Sequence, residues 1–369
     1  MTTASVSLRL LLASASMTIV AAGALAHDDR PEQFYRNTVL ASDGALRANF
    51  TDEHLKNAWG LAFNPTGFAW VADEDANVST LYDGNGQPSP PVPQPLVVEI
   101  PGPDATKGNP TGIVFSGGPD FVVSKGGVSG PARFIFATEQ GNLAGWAPNV
   151  DATHAVFVPK DPADTDEAVY TGLALSGNGT THLLYAANFL QGRIDVFDGT
   201  FKHVSVPGRF RDSHLPARFS PFGIQAINGD LYVAYAKQDE SGEEEVQGQG
   251  LGLVDVFDPD GRLLRRVATR GVLNAPWGLA LAPASFGKFG GALLVGNLGD
   301  GTINAFGPLT GKFLGSLRDR NNRRLHIDGL WGLQFGNGVF ALKTNQLFYT
   351  AGPNDEENGA FGVITAVMH

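Results

Sequence analysis

Whatever chemistry this 369-residue chain performs must rest on oxygen and nitrogen groups, because it contains no cysteine. Disulfides, thiolate nucleophiles and Cys-ligated zinc or iron–sulfur centres are excluded. No Gly-x-Ser-x-Gly elbow or His-Glu-x-x-His pair occurs, and no glycine-rich phosphate loop opens a helix. Acidic residues gather in five short segments: Asp73-Glu74-Asp75, Glu139, Asp239 to Glu245, Asp300, and Asp355-Glu356-Glu357. Such hard oxygens could hold calcium, although no segment follows EF-hand spacing. Otherwise they form a solvated rim with Arg209, Arg211, Arg218, Arg318, Arg320, Arg323 and Arg324, at about 0–1 kcal/mol per exposed pair. Asn57, Asn109, Asn274 and Asp328 stand three or four residues before a recurring glycine, and Asn188 and Asn297 end apolar strands. These six are the candidate metal ligands. Among the eight histidines, His326 lies two residues from Asp328, and that pair is the candidate for proton transfer.

The recurring glycine belongs to a phrase that organises the chain. It reads Trp59-Gly60-Leu61, Thr111-Gly112-Ile113, Thr171-Gly172-Leu173, Phe222-Gly223-Ile224, Trp277-Gly278-Leu279 and Trp331-Gly332-Leu333. The glycines fall 51 to 60 residues apart. A period of that length, holding several strands, predicts a β-propeller, and six phrases predict six blades. Each unit supports four strands. In the fifth these are Leu279–Ala282, Ala292–Gly296, Gly301–Phe306 and Lys312–Leu317. Tight-turn residues such as Asp258-Pro259-Asp260-Gly261 separate strands. The sixth unit runs out of chain after Phe361–Val367, which would leave an unpaired edge. Thr38–Ser42, ahead of the first unit, is expected to supply its missing outer strand and close the ring.

Composition bounds the function. With 43% hydrophobic and 17% charged residues, the chain can bury a sizeable core. Its net charge of −11 argues against nucleic acid and anionic membranes as partners. Arg9, the apolar run through Ala22 and the Ala24-Leu25-Ala26 site read as a signal peptide over residues 1–26. Residues 27–369 are then expected to form one secreted or periplasmic propeller without a membrane span, and a monomer.

The phrases Pro110-Thr-Gly-Ile, Pro221-Phe-Gly-Ile and Pro276-Trp-Gly-Leu resemble the start of NHL-type propeller repeats. Trp70-Val-Ala-Asp73, Phe136-Ala-Thr-Glu139, Tyr185-Ala-Ala-Asn-Phe189, Leu294-Val-Gly-Asn297 and Asp328-Gly-Leu-Trp-Gly-Leu333 look more closely like a family of secreted, mostly bacterial six-bladed propellers of undetermined function. The resemblance spans nearly the whole chain after the leader and implies fold rather than chemistry. In gluconolactonase- and paraoxonase-like propellers, Asn or Asp immediately before such a glycine ligates a divalent metal at the channel mouth. Here that place holds Trp59, Thr111, Thr171, Phe222, Trp277 and Trp331, so the lactonase pattern itself is absent.

What stands there instead is an aromatic collar. Its rings would either stack on a ligand or plug the channel. The first function expected is a noncatalytic binding or scaffold propeller, with those six residues forming a site for a glycan, small molecule or envelope protein. The alternative is a divalent-metal-dependent hydrolase or lactonase, and a third is a purely structural extracellular protein.

Overall fold

A computed structural model describes residues 33–368 apart from 91–93, 104–106, 162–164 and 178–181. The expected leader therefore lies outside the described residues, Met1 aside. Six small antiparallel sheets follow one another along the chain as blades 1 to 6, each starting at its phrase. The innermost strands are Ala58–Phe63, Pro110–Phe115, Tyr170–Gly177, Phe219–Ile227, Pro276–Leu281 and Leu330–Phe335. The protein is an all-β six-bladed propeller.

The glycines have a shared steric reason. A Cβ on Gly60 would lie 2.3 Å from Thr111 O, and one on Gly223 would lie 2.2 Å from Trp277 O. Gly172 faces Phe222, Gly278 faces Trp331, and Gly332 faces Trp59 in the same way. Five of the six inner strands thus press the glycine against the collar residue of the next blade, the sixth blade returning to the first, while Gly112 meets Gly172 and Leu173 one step further along. Between adjacent blades lie six separate apolar clusters. One joins Trp70 to Ile113, Phe134 and Trp146; another joins Leu61, Val71 and Tyr82 to Phe348 and Phe361. Burial against blades on both sides explains why middle strands such as Ala69–Asp73 and Leu293–Asn297 are buried along their whole length.

Ring closure follows the expected pairing over a longer span. Gln33–Ser42 runs antiparallel to Ala360–Met368, from Gln33 opposite Met368 to Ser42 opposite Ala360. Phe50–Thr51 then adds a short parallel pair outside it.

Four blades depart from four regular strands among the described residues: blade 6 carries Phe50–Thr51 as a fifth, blade 4 adds the short strand Glu245–Val246 against Lys237 and Gln238, and blades 2 and 3 differ further. Blade 2 inserts a hairpin, Val122–Lys125 with Val128–Pro131, between its first and second ladder strands. Blade 3 has only three ladder strands, Tyr170–Gly177, His182–Asn188 and Arg193–Phe197. The chain beyond Phe197 touches its edge through one bridge at His203 and one bond from Val204 N to Val196 O, at 2.7 Å. Pro207 then brings no N–H to a ladder.

Candidate functional site

Three layers stack along the inner strands. The deepest is a ring formed by the residue after each glycine: Leu61, Ile113, Leu173, Ile224, Leu279 and Leu333. It lines a cavity of about 20 Å³, at most enough for a water molecule.

The collar lies one step nearer the strand starts, and the fold brings its residues together. Trp59 stacks on Trp331 with ring centres 3.7 Å apart, while Trp277 and Phe222 meet Trp331 at 5.9 and 5.7 Å. Trp59, Trp331, Phe222, Thr111 and Thr171 are all buried, and only Trp277 keeps appreciable accessible area. The polar atoms bind the ring itself: Trp277 Nε1 donates to Thr171 O at 2.8 Å, and Thr171 Oγ1 donates to Phe222 O at 2.8 Å. Thr111 Oγ1 donates to Tyr170 O at 2.6 Å. Trp59 Nε1 is buried without a partner. These contacts pack the collar's rings and hydroxyls on one another across the axis, with Trp277 the ring that keeps accessible area and lines the small cavity.

The outermost layer is acidic. Glu74 and Glu139 each follow a middle strand directly, and their backbone N–H groups bond to Asn57 O and Asn109 O, at 3.2 and 3.1 Å. The two Asn–Glu pairs are therefore repeat-equivalent on adjacent blades. Asn57 Nδ2 donates to Glu74 Oε2 and to Glu356 Oε2, both at 3.0 Å, while its Oδ1 accepts from Trp331 Nε1 at 3.0 Å. Asn109 Nδ2 donates to Glu74 Oε1, and Gln140 Nε2 donates to Asn109 Oδ1 at 2.8 Å. Collar and mouth are thus joined through one amide. Asn57 and Asn109 hold this position with left-handed backbones, at φ 38° and 41°.

Carboxyls from four blades share this mouth. Burial, then the charges of Glu74, Glu244 and Glu356, raises the Glu139 carboxyl far above the ordinary range. Glu74 is also raised, chiefly by burial, and the two carboxyls act as a pair that retains a shared proton above the ordinary carboxylate range. Burial and the Glu245, Glu244 and Glu74 charges push Glu356 up to about 7. Glu244, at the end of a loop of blade 4, and Glu245, which opens the short strand Glu245–Val246, are raised by burial and by neighbouring acids. Among the described residues none of these five carboxyls pairs with Lys or Arg.

The candidate metal ligands only partly assemble. Asn188 donates to Asp195 Oδ2 at 2.7 Å, and Asn274 Oδ1 accepts from Gly248 N at 2.6 Å. Asn297 Nδ2 donates to Val272 O at 2.8 Å, and Asp328 is exposed, accepting from Asn354 N at 2.9 Å. Only Asn57 and Asn109 meet, and both turn N–H donors toward Glu74. Among the described residues no three acidic or imidazole side chains are grouped to hold a metal ion. His326 is exposed with Nδ1 3.0 Å from Asp300 O, and it makes no ion pair with Asp328 among the described residues. The proton-transfer candidate is therefore not assembled. Of the seven arginines expected to balance the rim, Arg318 and Arg323 bond within their own loop, to Asn322 O and Asp319.

A six-bladed ring with a packed axis and an acidic mouth defines the class. Solved structures share that fold: a streptogramin B lyase matches with TM-score 0.51 and 12% identity, over 91% of this chain and 98% of that one. A Bacteroides thetaiotaomicron protein of unknown function matches with TM-score 0.54 and 11% identity, over 91% and 77%. At these identities the likeness concerns the fold alone. No family model matches the chain. In sequence, it belongs to the family of two uncharacterised proteins of Acanthamoeba polyphaga mimivirus, R648 and L690. Both are 31% identical to it over 88% of this chain, covering 78% and 83% of their own lengths. The resemblance read from the motifs pointed to a bacterial family, whereas these relatives are viral.

Proposed function

We propose that the protein is a noncatalytic binding propeller whose acidic mouth receives the ammonium or guanidinium group of a polyamine or basic peptide. One observation carries this reading. Glu74, Glu139, Glu244, Glu245 and Glu356 are gathered over a packed axis with no cationic partner among the described residues. Holding like charges together costs stability, and a ligand cation would offset that cost. An organic cation suits the donor set better than a metal, since a multivalent N–H donor can bond several dispersed carboxylates. Export to the periplasm or medium is part of the proposal and rests on the leader's composition.

Titration calorimetry with spermidine at low salt tests it. Saturable binding is expected, weakened at least tenfold in a Glu74→Gln, Glu356→Gln double variant that still melts cooperatively. Equal affinity in that variant contradicts the reading. A second reading, acid–base catalysis, is favoured by the proton shared between Glu74 and Glu139. It differs in requiring turnover of a bound ester or lactone, lost in Glu139→Gln.

A further inference from the structure

Two of the departures from the repeat, those of blades 2 and 3, meet at one place. The hairpin of blade 2 sits on the incomplete outer edge of blade 3: Phe121 N donates to Gly199 O at 2.6 Å, and the Phe121 ring meets Phe201 edge-on at 5.2 Å. Between them opens a recess of about 540 Å³, within the range of small-molecule sites. It shares no lining residue with the acidic mouth.

The lining combines aromatic walls with basic groups. Phe157 and Phe201, with the edges of the buried Phe197 and Tyr170, supply apolar surface, and Lys160 and Lys202 line the recess with Asp161 as the one carboxylate among its described lining residues; Lys160 Nζ also donates to Asp166 O at 3.3 Å. Among the described lining residues the two lysines outnumber the one carboxylate, in a chain of net charge −11. The wall is braced from behind by Asp195, which is 3% exposed. Its carboxylate accepts from Tyr170 Oη at 3.2 Å, Asn188 Nδ2 at 2.7 Å and Arg193 Nε at 2.6 Å. His203, a further lining residue, brings Nε2 to 3.7 Å from the same carboxylate. Such bracing lowers the ordering cost of binding.

We infer that this recess is a second binding site, for a small aromatic carboxylate. The ring system would lie among the phenylalanines and its anionic group would face Lys160 and Lys202. Flat apolar walls give the affinity, and the two ammonium groups select the charge.

Calorimetric titration with 1-naphthoate and with 1-naphthylmethylammonium tests it, because the two share a ring system and differ in charge. Saturable one-to-one binding of 1-naphthoate is expected, at least tenfold tighter than the ammonium. A Lys160→Glu, Lys202→Glu double variant should remove that preference. Ser124→Trp, which fills the recess from its exposed hairpin wall, should abolish binding while leaving the melting temperature within a few degrees. Glu139→Gln should leave naphthoate affinity unchanged, separating this site from the mouth. Non-saturable binding, equal affinity for both probes, or retained preference in the double lysine variant would overturn the inference.

Discussion

Glu139 is where charge, burial and repeat geometry meet. Its folded-state pKa is raised, so the native protein holds a proton that the unfolded chain releases near the ordinary 4.5. Above that value the native state binds more protons than the unfolded state, and stability falls as pH rises. Glu356, raised to about 7, adds to the same slope. Glu139→Gln should flatten the decline between about pH 5 and 8 and stabilise the protein at the alkaline end by about 1 kcal/mol or more. Urea denaturation at several pH values reads this out. A slope identical to that of the parent protein would contradict the assignment. The sequence marks Glu74 and Glu139 as members of acidic loops but not as partners. What it carries is weaker: each directly follows a middle strand, and each has an asparagine three residues before its phrase glycine. The hairpin inserted in blade 2 stretches the second Asn–Glu spacing and hides the equivalence. The approach of Glu244, Glu245 and Glu356 depends on how two loops fold back, which no local pattern encodes.

At the scale of elements, the closing strand shows the same division. The unpaired edge left by the last unit is legible from the count of strands, and Thr38–Ser42 is its expected partner. Among the described residues the strand already runs from Gln33, and Tyr35 anchors this longer part on blade 5. The Tyr35 ring stacks parallel to Phe289 at 5.8 Å, and its hydroxyl donates to Phe286 O and accepts from Phe289 N, both at 3.2 Å. Nothing in the polar sequence around Tyr35 announces this contact with residues some 250 positions later. Tyr35→Ala removes a 2%-exposed aromatic side chain and should cost about 3–5 kcal/mol. Tyr35→Phe should cost about 1 kcal/mol for the lost hydroxyl bonds. Denaturant melts read both. A loss under 1 kcal/mol for the alanine variant would mean that the strand closes the ring without this anchor.

The whole molecule is a ring of six nearly equivalent interfaces around a packed collar, and irregularities fall at the mouth and where blades 2 and 3 meet. Those irregular places carry the functional proposals, as expected where local rules are broken for a reason. The tryptophan collar, by contrast, is the most regular feature in the sequence, and the fold gathers it: Trp59, Trp331 and Phe222 are buried in one cluster with the partly buried Trp277 packed against it. The central claim is that the acidic mouth receives a cation, and linkage gives it a direct test. A cation that favours ionised carboxylates must displace the protons held by the Glu74–Glu139 pair and by Glu356. The decisive measurement is spermidine affinity by calorimetry at pH 6, 7, 8 and 9, each in two buffers of different ionisation enthalpy. The account predicts affinity that rises with pH through the Glu356 value of about 7, with net proton release on binding. Affinity independent of pH, with no proton exchanged, would contradict it.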